Sequence, residues 1–462
     1  MPGSLRLADA RSGSDVSLFV LCAAGFALRA YVIFHMREMG LFADMQDYHD
    51  RAMHLLQTGT LTPDAFRVPF YSIFMAGVYT LFGPQLFAVR MVQALLSTIT
   101  IALTYVVARH VVSARGALFA AGIVAFYPAL ILYAAYTMAE TLFTVLALAA
   151  IALWLAQGKA PWWTALVAGV VVGAATLTRS VGLAVLAGIL LAEVVSIIRQ
   201  RTLPDRVAII RAPLLVAGCA IVLAPWVQRN YSIYERFIPT DTASGFNALI
   251  GNYPGATGRH PGIPAVEAAA KEYWSGARND LERSEIGLRV ARDYTLEHPA
   301  RAFRLALLKV AYLFGVEGRE HAWGYSYHLQ GRRTANVVWV WGVAIIVSFP
   351  FVMTLASIGL WRPGITRLPA AIVIVCALVA VTGLHVASFG DTRFHLPWLP
   401  LLAVLAARAF APLAARPWTL ARQTVLAMWL VAFALVWKDQ AAELMAVLPK
   451  LAESPVPLAL PY

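Results

Sequence analysis

The residues best suited to chemistry stand at the ends of apolar runs. The first run is followed by Phe42-Ala43-Asp44-Met45-Gln46-Asp47-Tyr48-His49-Asp50-Arg51-Ala52. On a helix Asp44 and Asp47 share a face, so one carboxylate can perturb the other or both can approach a cation. The same spacing suits a helix start, with Asp44 as N-cap and Asp47 in the first turn, where carboxylates favour the helix dipole. Arg67 precedes Val68-Pro69-Phe70-Tyr71. Its guanidinium could hold a phosphate by charge-assisted hydrogen bonds, or snorkel from an interface. Glu140 heads a later apolar run, where an acid hinders membrane insertion unless it faces a polar cavity or caps the helix. Arg179 separates two apolar runs with almost no loop around it. In Gly390-Asp391-Thr392-Arg393-Phe394-His395-Leu396-Pro397 an acid, an arginine and a histidine share one turn, and Asp391 and Arg393 could simply pair there. No Walker loop or zinc signature accompanies them. Cys22, Cys219 and Cys376 fall inside apolar runs without ligand spacing.

Composition says what must hold these residues in place. Of 462 residues 60% are hydrophobic and 13% charged, and mean hydropathy is +0.67. That much apolar surface cannot be hidden in one water-soluble core, so the chain needs lipid as solvent. The formal net charge of +12 then reads as a cytoplasmic anchoring excess plus sites for anionic substrates, not as a nucleic-acid surface. About eleven spanning helices are expected near 16–36, 86–108, 116–134, 140–157, 162–178, 180–198, 211–228, 334–360, 368–388, 396–414 and 418–437. The first, after Arg6 and Arg11 and ending near Arg29, reads as a retained signal anchor. Two further apolar segments, 66–83 and 303–316, are expected to lie along the interface as amphipathic helices. With them so placed, Arg6, Arg11, Arg109, Arg115, Lys159, Arg199, Arg201, Arg206, Arg211, Arg362, Arg367 and Arg416 all fall on the cytoplasmic side.

The same topology gathers three polar regions on the outer face: the loop near 37–65, the long loop 229–302 and the turn at Gly390 to Arg393. The long loop begins with a Gly/Pro/Asn stretch, Asn247 to Pro264, and continues as an amphipathic run from Ala265 to Glu297. A polar loop of that length in a membrane bundle is usually functional. The expected organisation is an N-terminal transmembrane module (1–228) whose first outer loop (37–85) is catalytic, an outer loop (229–302) and a C-terminal transmembrane module (303–462), with no large soluble domain.

Several passages, taken in order, resemble the GT-C superfamily of membrane glycosyltransferases. The resemblance is nearest to the bacterial glycosyltransferase family 39 group, related to protein O-mannosyltransferases and lipid A aminoarabinose transferases. They are Asp44 to Ala52, Arg67 to Phe82, Tyr127-Pro128 through Glu140, Ala224 to Thr240, Asn252 to Gly258, and Arg393 to Pro400. The resemblance implies an all-α polytopic GT-C-like fold in a bacterial inner membrane, with its site on the periplasmic side. It implies that Asp44 is the essential first-loop aspartate, Asp47 its neighbour and Glu140 the second-loop acid. By the same resemblance Arg67, Tyr71, Arg179, Arg393 and His395 belong near the lipid phosphate, and Tyr48, His49, Asn252 and Tyr253 along the acceptor. The expected reaction is inverting transfer of a sugar from a polyprenyl-phosphate donor to a hydroxyl of an envelope glycan, glycolipid or lipid, with Asp44 as general base. A divalent metal ion between Asp44 and Glu140 is allowed but not required. Arg67 is followed by Val-Pro where the family has two prolines, and protein acceptors are not supported. The rival class is a membrane transporter or lipid flippase, whose ionisable residues would be expected near mid-membrane.

Overall fold

The computed structural model describes residues 3–156, 161–200, 206–260, 271–318, 335–411 and 419–453. Lys159, Arg201, Arg416, the loop residues 261–270 and the ends of the expected crossings at 157, 334, 412–414 and 418 lie outside the described residues, as do the side chains of Arg6, Arg11 and Arg206.

Among the described residues the chain is helix and turn. The helices are α1 (Gly3–His35), α2 (Asp44–Thr58), α3 (Phe70–Phe82), α4 (Leu86–Ala108), α5 (Ala114–Phe126), α6 (Pro128–Ala135), α7 (Glu140–Leu155), α8 (Thr164–Thr178), α9 (Gly182–Gln200) and α10 (Arg206–Tyr234). There follow α11 (Ala243–Gly251), α12 (Lys271–Ser275), α13 (Asp280–Glu297), α14 (Pro299–Leu313), α15 (Ala335–Trp361), α16 (Pro369–Ala387), α17 (Leu399–Arg408) and α18 (Leu420–Glu453). A 3-10 turn, Thr392–Trp398, leads into α17. Among the described residues seven helices are long and apolar enough to cross a membrane, or eight if the pair α5 and α6 is one span bent by 49°. This is the expected all-α membrane architecture. Three of the expected crossings are short helices: α7 has 16 residues, α8 has 15 and α17 has 10, rising about 24, 22 and 15 Å against ~30 Å of hydrocarbon. The segments 66–83 and 303–316 hold α3 and most of α14, with 13 and 15 residues.

The bend between α5 and α6 follows from Pro128, which forces Tyr127 to an extended conformation (φ −70°, ψ 119°) and then starts α6 at its first position. Helix ends inside an apolar bundle leave carbonyls that need partners. Arg29, fully buried, donates to the carbonyls of Val124 (3.0 Å) and Ala125 (2.9 Å) at the end of α5 and to Ser97 Oγ (2.7 Å). Gln93 Nε2 does the same after α6, donating to the carbonyls of Ala134 (3.2 Å) and Tyr136 (2.7 Å). Arg90 closes α1 through the carbonyls of Met36 (3.1 Å) and Met39 (2.6 Å), which fixes where the chain enters the first outer loop. Small residues let α8 and α10 meet backbone to backbone: a Cβ on Gly169 would strike the Leu215 carbonyl, and one on Gly218 that of Leu166.

One end of the bundle carries α2, α11 and α13 and the turn at Gly390. Several bonds tie this end together. Asn252 Nδ2 donates to the Ala387 carbonyl (3.0 Å), the Gly390 N–H to the Gly258 carbonyl (2.9 Å), and the Ala65 N–H to Asp280 Oδ2 (2.9 Å).

Candidate active site

Asp44 is the first residue of α2, not its cap. The cap position is Ala43, held at φ 47°, ψ −128°, and no side chain accepts an N-terminal N–H of the helix. A non-glycine residue at positive φ is uncommon and strained. Both carboxylate oxygens of Asp44 go elsewhere. Oδ1 accepts from Arg67 Nη2 at 2.6 Å and Oδ2 from Arg393 Nη1 at 2.7 Å. Asp47, one turn on, accepts from Arg67 Nε on Oδ2 and from Arg51 Nε on Oδ1 at 2.9 Å. Arg51 in turn grips Asp64 (2.8 Å) and Thr62 (2.7 Å), which secures the segment leading to Arg67.

Arg393 is the hinge of the cluster. Its Nε donates to Glu140 Oε1, which also accepts from Arg179 Nη1. The guanidinium thus joins α2 to the start of α7, and Arg179 adds the junction of α8 and α9. Glu140 is 3% exposed and Asp44 25%, so these pairs sit at the margin between the bundle and its polar end. Burial by itself would raise the pKa of Asp44, but the neighbouring cations Arg393 and Arg67 outweigh it and hold the carboxyl well below the usual range. The Arg67 guanidinium lies 5.0 Å from the Tyr48 ring centroid, and that ring meets Tyr71 edge-on at 4.7 Å.

Of the residues expected at the site, Asp44, Asp47, Tyr48, Arg67, Glu140, Arg179 and Arg393 come together. Tyr71 and His49 stand behind them, Tyr71 donating to Gln93 Oε1 and His49 hydrogen-bonded to the Tyr79 hydroxyl at 2.8 Å. His395 lies elsewhere. Its Nε2 contacts Glu317 Oε1 and its Nδ1 the Leu313 carbonyl, both at 2.6 Å, and Tyr127 donates to the same Glu317 oxygen at 2.7 Å. This buried network braces the turn that carries Arg393. Asn252 accepts from Lys309 Nζ (2.7 Å), and Tyr253 packs in the core of the long loop with Leu249, Ile286 and Phe389. Asp391 Oδ1 accepts the Arg393 N–H at 3.1 Å and so shapes the turn.

Among the described residues no group of three or more His, Cys, Asp or Glu could hold a metal ion. Asp44 and Glu140 face each other across Arg393, whose guanidinium occupies the position a cation would take. The pair therefore does not fit a divalent metal in this arrangement. Sequence reasoning missed Asp241, Asp280, Glu317 and Lys309, whose contacts are made with segments distant in the chain.

The chain shares its fold with an archaeal membrane oligosaccharyltransferase, and part of it matches a mannosyltransferase family model. Residues 64–227 match the dolichyl-phosphate-mannose-protein mannosyltransferase family. The oligosaccharyltransferase AglB from Archaeoglobus fulgidus, solved with an inhibitory peptide and a dolichol-phosphate, superposes with a TM-score of 0.51 at 13% identity, covering 97% of this chain and 57% of that one. The same organism's oligosaccharyltransferase in complex with Zn and sulfate gives a TM-score of 0.51 at 14% identity, covering 96% and 54%. ArnT from Cupriavidus metallidurans in the apo state gives 0.41 at 18% identity, covering 86% and 78%. The chain thus spans little more than half the length of the archaeal enzyme. No curated protein sequence matches it.

Proposed function

We propose that this protein is a glycosyltransferase that moves a sugar from a polyprenyl-phosphate carrier to a hydroxyl of an envelope glycan, glycolipid or lipid, at the periplasmic face of a bacterial inner membrane. The observation that carries the reading is the pairing of Asp44 with Arg67 and Arg393, which puts a base and phosphate-binding cations in one hydrogen-bonded unit. The similar archaeal fold was solved with a dolichol-phosphate, the kind of lipid phosphate such cations would hold.

In the donor the phosphate is a diester bearing one negative charge. As the bond from the anomeric carbon to the phosphate oxygen breaks, the oxygen keeps the electron pair and the leaving polyprenyl phosphate gains a second charge. Arg393 and Arg67 therefore bind the departing group more strongly in the transition state than in the ground state, which is the condition for catalysis. The acceptor oxygen forms its new bond from the opposite face, inverting the linkage, and its proton passes to Asp44 and then to solvent. With both arginines on its oxygens Asp44 is a weak base. Donor phosphate competes for those guanidinium groups, and as they turn to it Asp44 recovers lone pairs and basicity. Glu140, itself held by Arg179, holds the other side of Arg393 throughout.

The test is release of undecaprenyl phosphate from the lipid-linked sugar fraction of host membranes by purified protein in detergent. A transferase works without a sealed compartment. A flippase or transporter produces no new bond there, and absence of product with every lipid-linked sugar supplied would overturn the proposal.

A further inference from the structure

The acceptor atoms of the cluster can be assigned one by one. Asp44 and Asp47 have both oxygens occupied by arginine, and Glu140 has Oε1 shared by two. Glu140 Oε2 has no partner, but that residue lines a small cavity of mixed polar and apolar walls, with Ser97, Thr144, Leu130 and Leu396 among them, between helices of the bundle. One more acid feels the same cations. Asp241, in the segment between α10 and α11, feels the charges of Arg67 and Arg179 and lies near Ser180 and the Ser244 N–H. Its position is fixed by the next residue. The Thr242 N–H donates to the Ala65 carbonyl (2.9 Å) and Thr242 Oγ1 to Asp280 Oδ2 (2.7 Å), so the chain here is fastened to the segment that carries Arg67. Asp241 Oδ1 is buried and has no hydrogen-bond partner. An orphaned buried acceptor is destabilising, and beside a cationic site it marks a place for a ligand donor.

We propose that Asp241 binds the acceptor, its Oδ1 receiving a second hydroxyl next to the attacking one, so that the acceptor is a polyol such as a sugar ring. This rests on the glycosyl-transfer reading above. Asp44 is committed to the attacking hydroxyl. Such a diol would engage both carboxylates, whereas a single serine or threonine hydroxyl would leave Asp241 unpaired, and sites built around a substrate hydroxyl discriminate strongly against analogues that lack it. Burial, outweighing Arg67 and Arg179, holds the Asp241 carboxyl above its usual range, which suits a neutral hydroxyl as partner.

The competing role for Asp241 is to steady the start of α11 through the Ser244 N–H, and for that Asn serves as well as Asp. The experiment uses detergent-purified full chain, the host's lipid-linked sugar fraction as donor and its glycolipid extract as acceptor. Asp241→Asn is expected to raise the extract concentration for half-maximal transfer by about 5- to 10-fold, the difference between a hydrogen bond to a carboxylate and one to an amide oxygen, and Asp241→Ala by about 10- to 100-fold, the loss of the bond. The Kd of the Asn variant for undecaprenyl phosphate should stay the same or tighten, because an anion near the phosphate is removed. In wild type, 1,2-propanediol should compete with the extract at lower concentration than 1-propanol, and the difference should shrink in Asp241→Asn and vanish in Asp241→Ala. An Asn variant with unchanged acceptor dependence, while Asp241→Ala is impaired, assigns the residue to helix capping. A weakened undecaprenyl phosphate Kd assigns it to the donor side. Either result overturns the proposal while leaving transfer intact; wild type that transfers nothing overturns the function itself.

Discussion

Asp44→Asn separates chemistry from architecture, because the amide keeps the shape and loses the charge. In the structure Asp44 caps nothing, so the helix start is unaffected. What changes is electrostatic: Arg67 and Arg393 each lose one anionic partner but keep another, Asp47 and Glu140 respectively. Breaking a fully buried pair costs about 3–5 kcal/mol and an exposed one about 0–1 kcal/mol. For a side chain 25% exposed, with both partners retaining a second carboxylate, about 2 kcal/mol is the reasoned value, and a domain with 5–15 kcal/mol of stability survives it. The variant should therefore express and fold. Its turnover should fall by ~10²–10⁴-fold, the range for loss of a general base. The assay is initial-rate release of undecaprenyl phosphate in detergent at saturating donor and acceptor. Its pH dependence adds a second reading in wild type. In the free enzyme the arginines keep the Asp44 pKa low, whereas in the donor complex they turn to phosphate and it climbs back toward ~3.9. The acid limb of kcat should thus lie at higher pH than that of kcat/KM. Near-wild-type turnover in a folded Asp44→Asn protein would refute the assignment of Asp44 as base.

Arg393→Ala should weaken undecaprenyl phosphate binding and slow transfer together, and Arg393→Lys should restore only part because an ammonium cannot bridge Asp44 and Glu140 as a fork does; unchanged binding in the Ala variant returns Arg393 to a structural role. Because the folded-state pKa of Asp44 lies below its unfolded value, its pairing contributes stability that is complete above about pH 4 and fades as pH falls toward the folded value. Acid unfolding midpoints should show that slope in wild type and lose it in Asp44→Asn. Burial lowers the Lys309 pKa to about 8, below the unfolded value of ~10.4, so the folded state sheds its proton first. Thermal stability of wild type should therefore rise between about pH 8 and 10, and Lys309→Met should abolish that rise. For sidedness, in a protein lacking Cys22, Cys219 and Cys376, Arg259→Cys should react with an impermeant thiol reagent in intact cells and Arg115→Cys should not; equal labelling would remove the periplasmic assignment.

The core of the site was legible in the sequence because charge is rare in an apolar chain. Asp44, Arg67, Glu140, Arg179 and Arg393 all stand at helix ends, where an ionisable residue needs a reason. The break between α5 and α6 at Pro128 falls inside the segment expected as one span, 116–134. The capping reading of Asp44 was not excluded by spacing. Only the approach of Arg67 and Arg393 shows where its oxygens go. Asp241, Asp280 and Lys309 act through contacts between the long loop and segments near Ala65 and Val386, and no periodicity encodes such meetings. His395 was placed with the phosphate by adjacency to Arg393, yet in a 3-10 turn residues two apart point to different sides, and it contacts Glu317.

In the proposed reaction the closed cluster would also keep the site from acting on the wrong substrate. Three guanidinium groups without counter-charges would attract any lipid phosphate, and a free carboxylate would activate any hydroxyl. Here each holds the other, so a bare phosphate must displace Asp44 from Arg67 and Arg393 to bind, and a hydroxyl finds no free lone pair on Asp44 until that has happened. The two events are therefore coupled by a free energy that acts equally in both directions. Neutralising Asp44 removes the competitor for the arginines. Asp44→Asn should then bind undecaprenyl phosphate more tightly than wild type while transferring far more slowly. This opposite movement of affinity and rate is something neither a capping nor a purely structural role for Asp44 produces. A titration of both proteins with undecaprenyl phosphate decides it, and equal or weaker binding by the variant would mean that Asp44 and the phosphate do not compete for the same guanidinium groups.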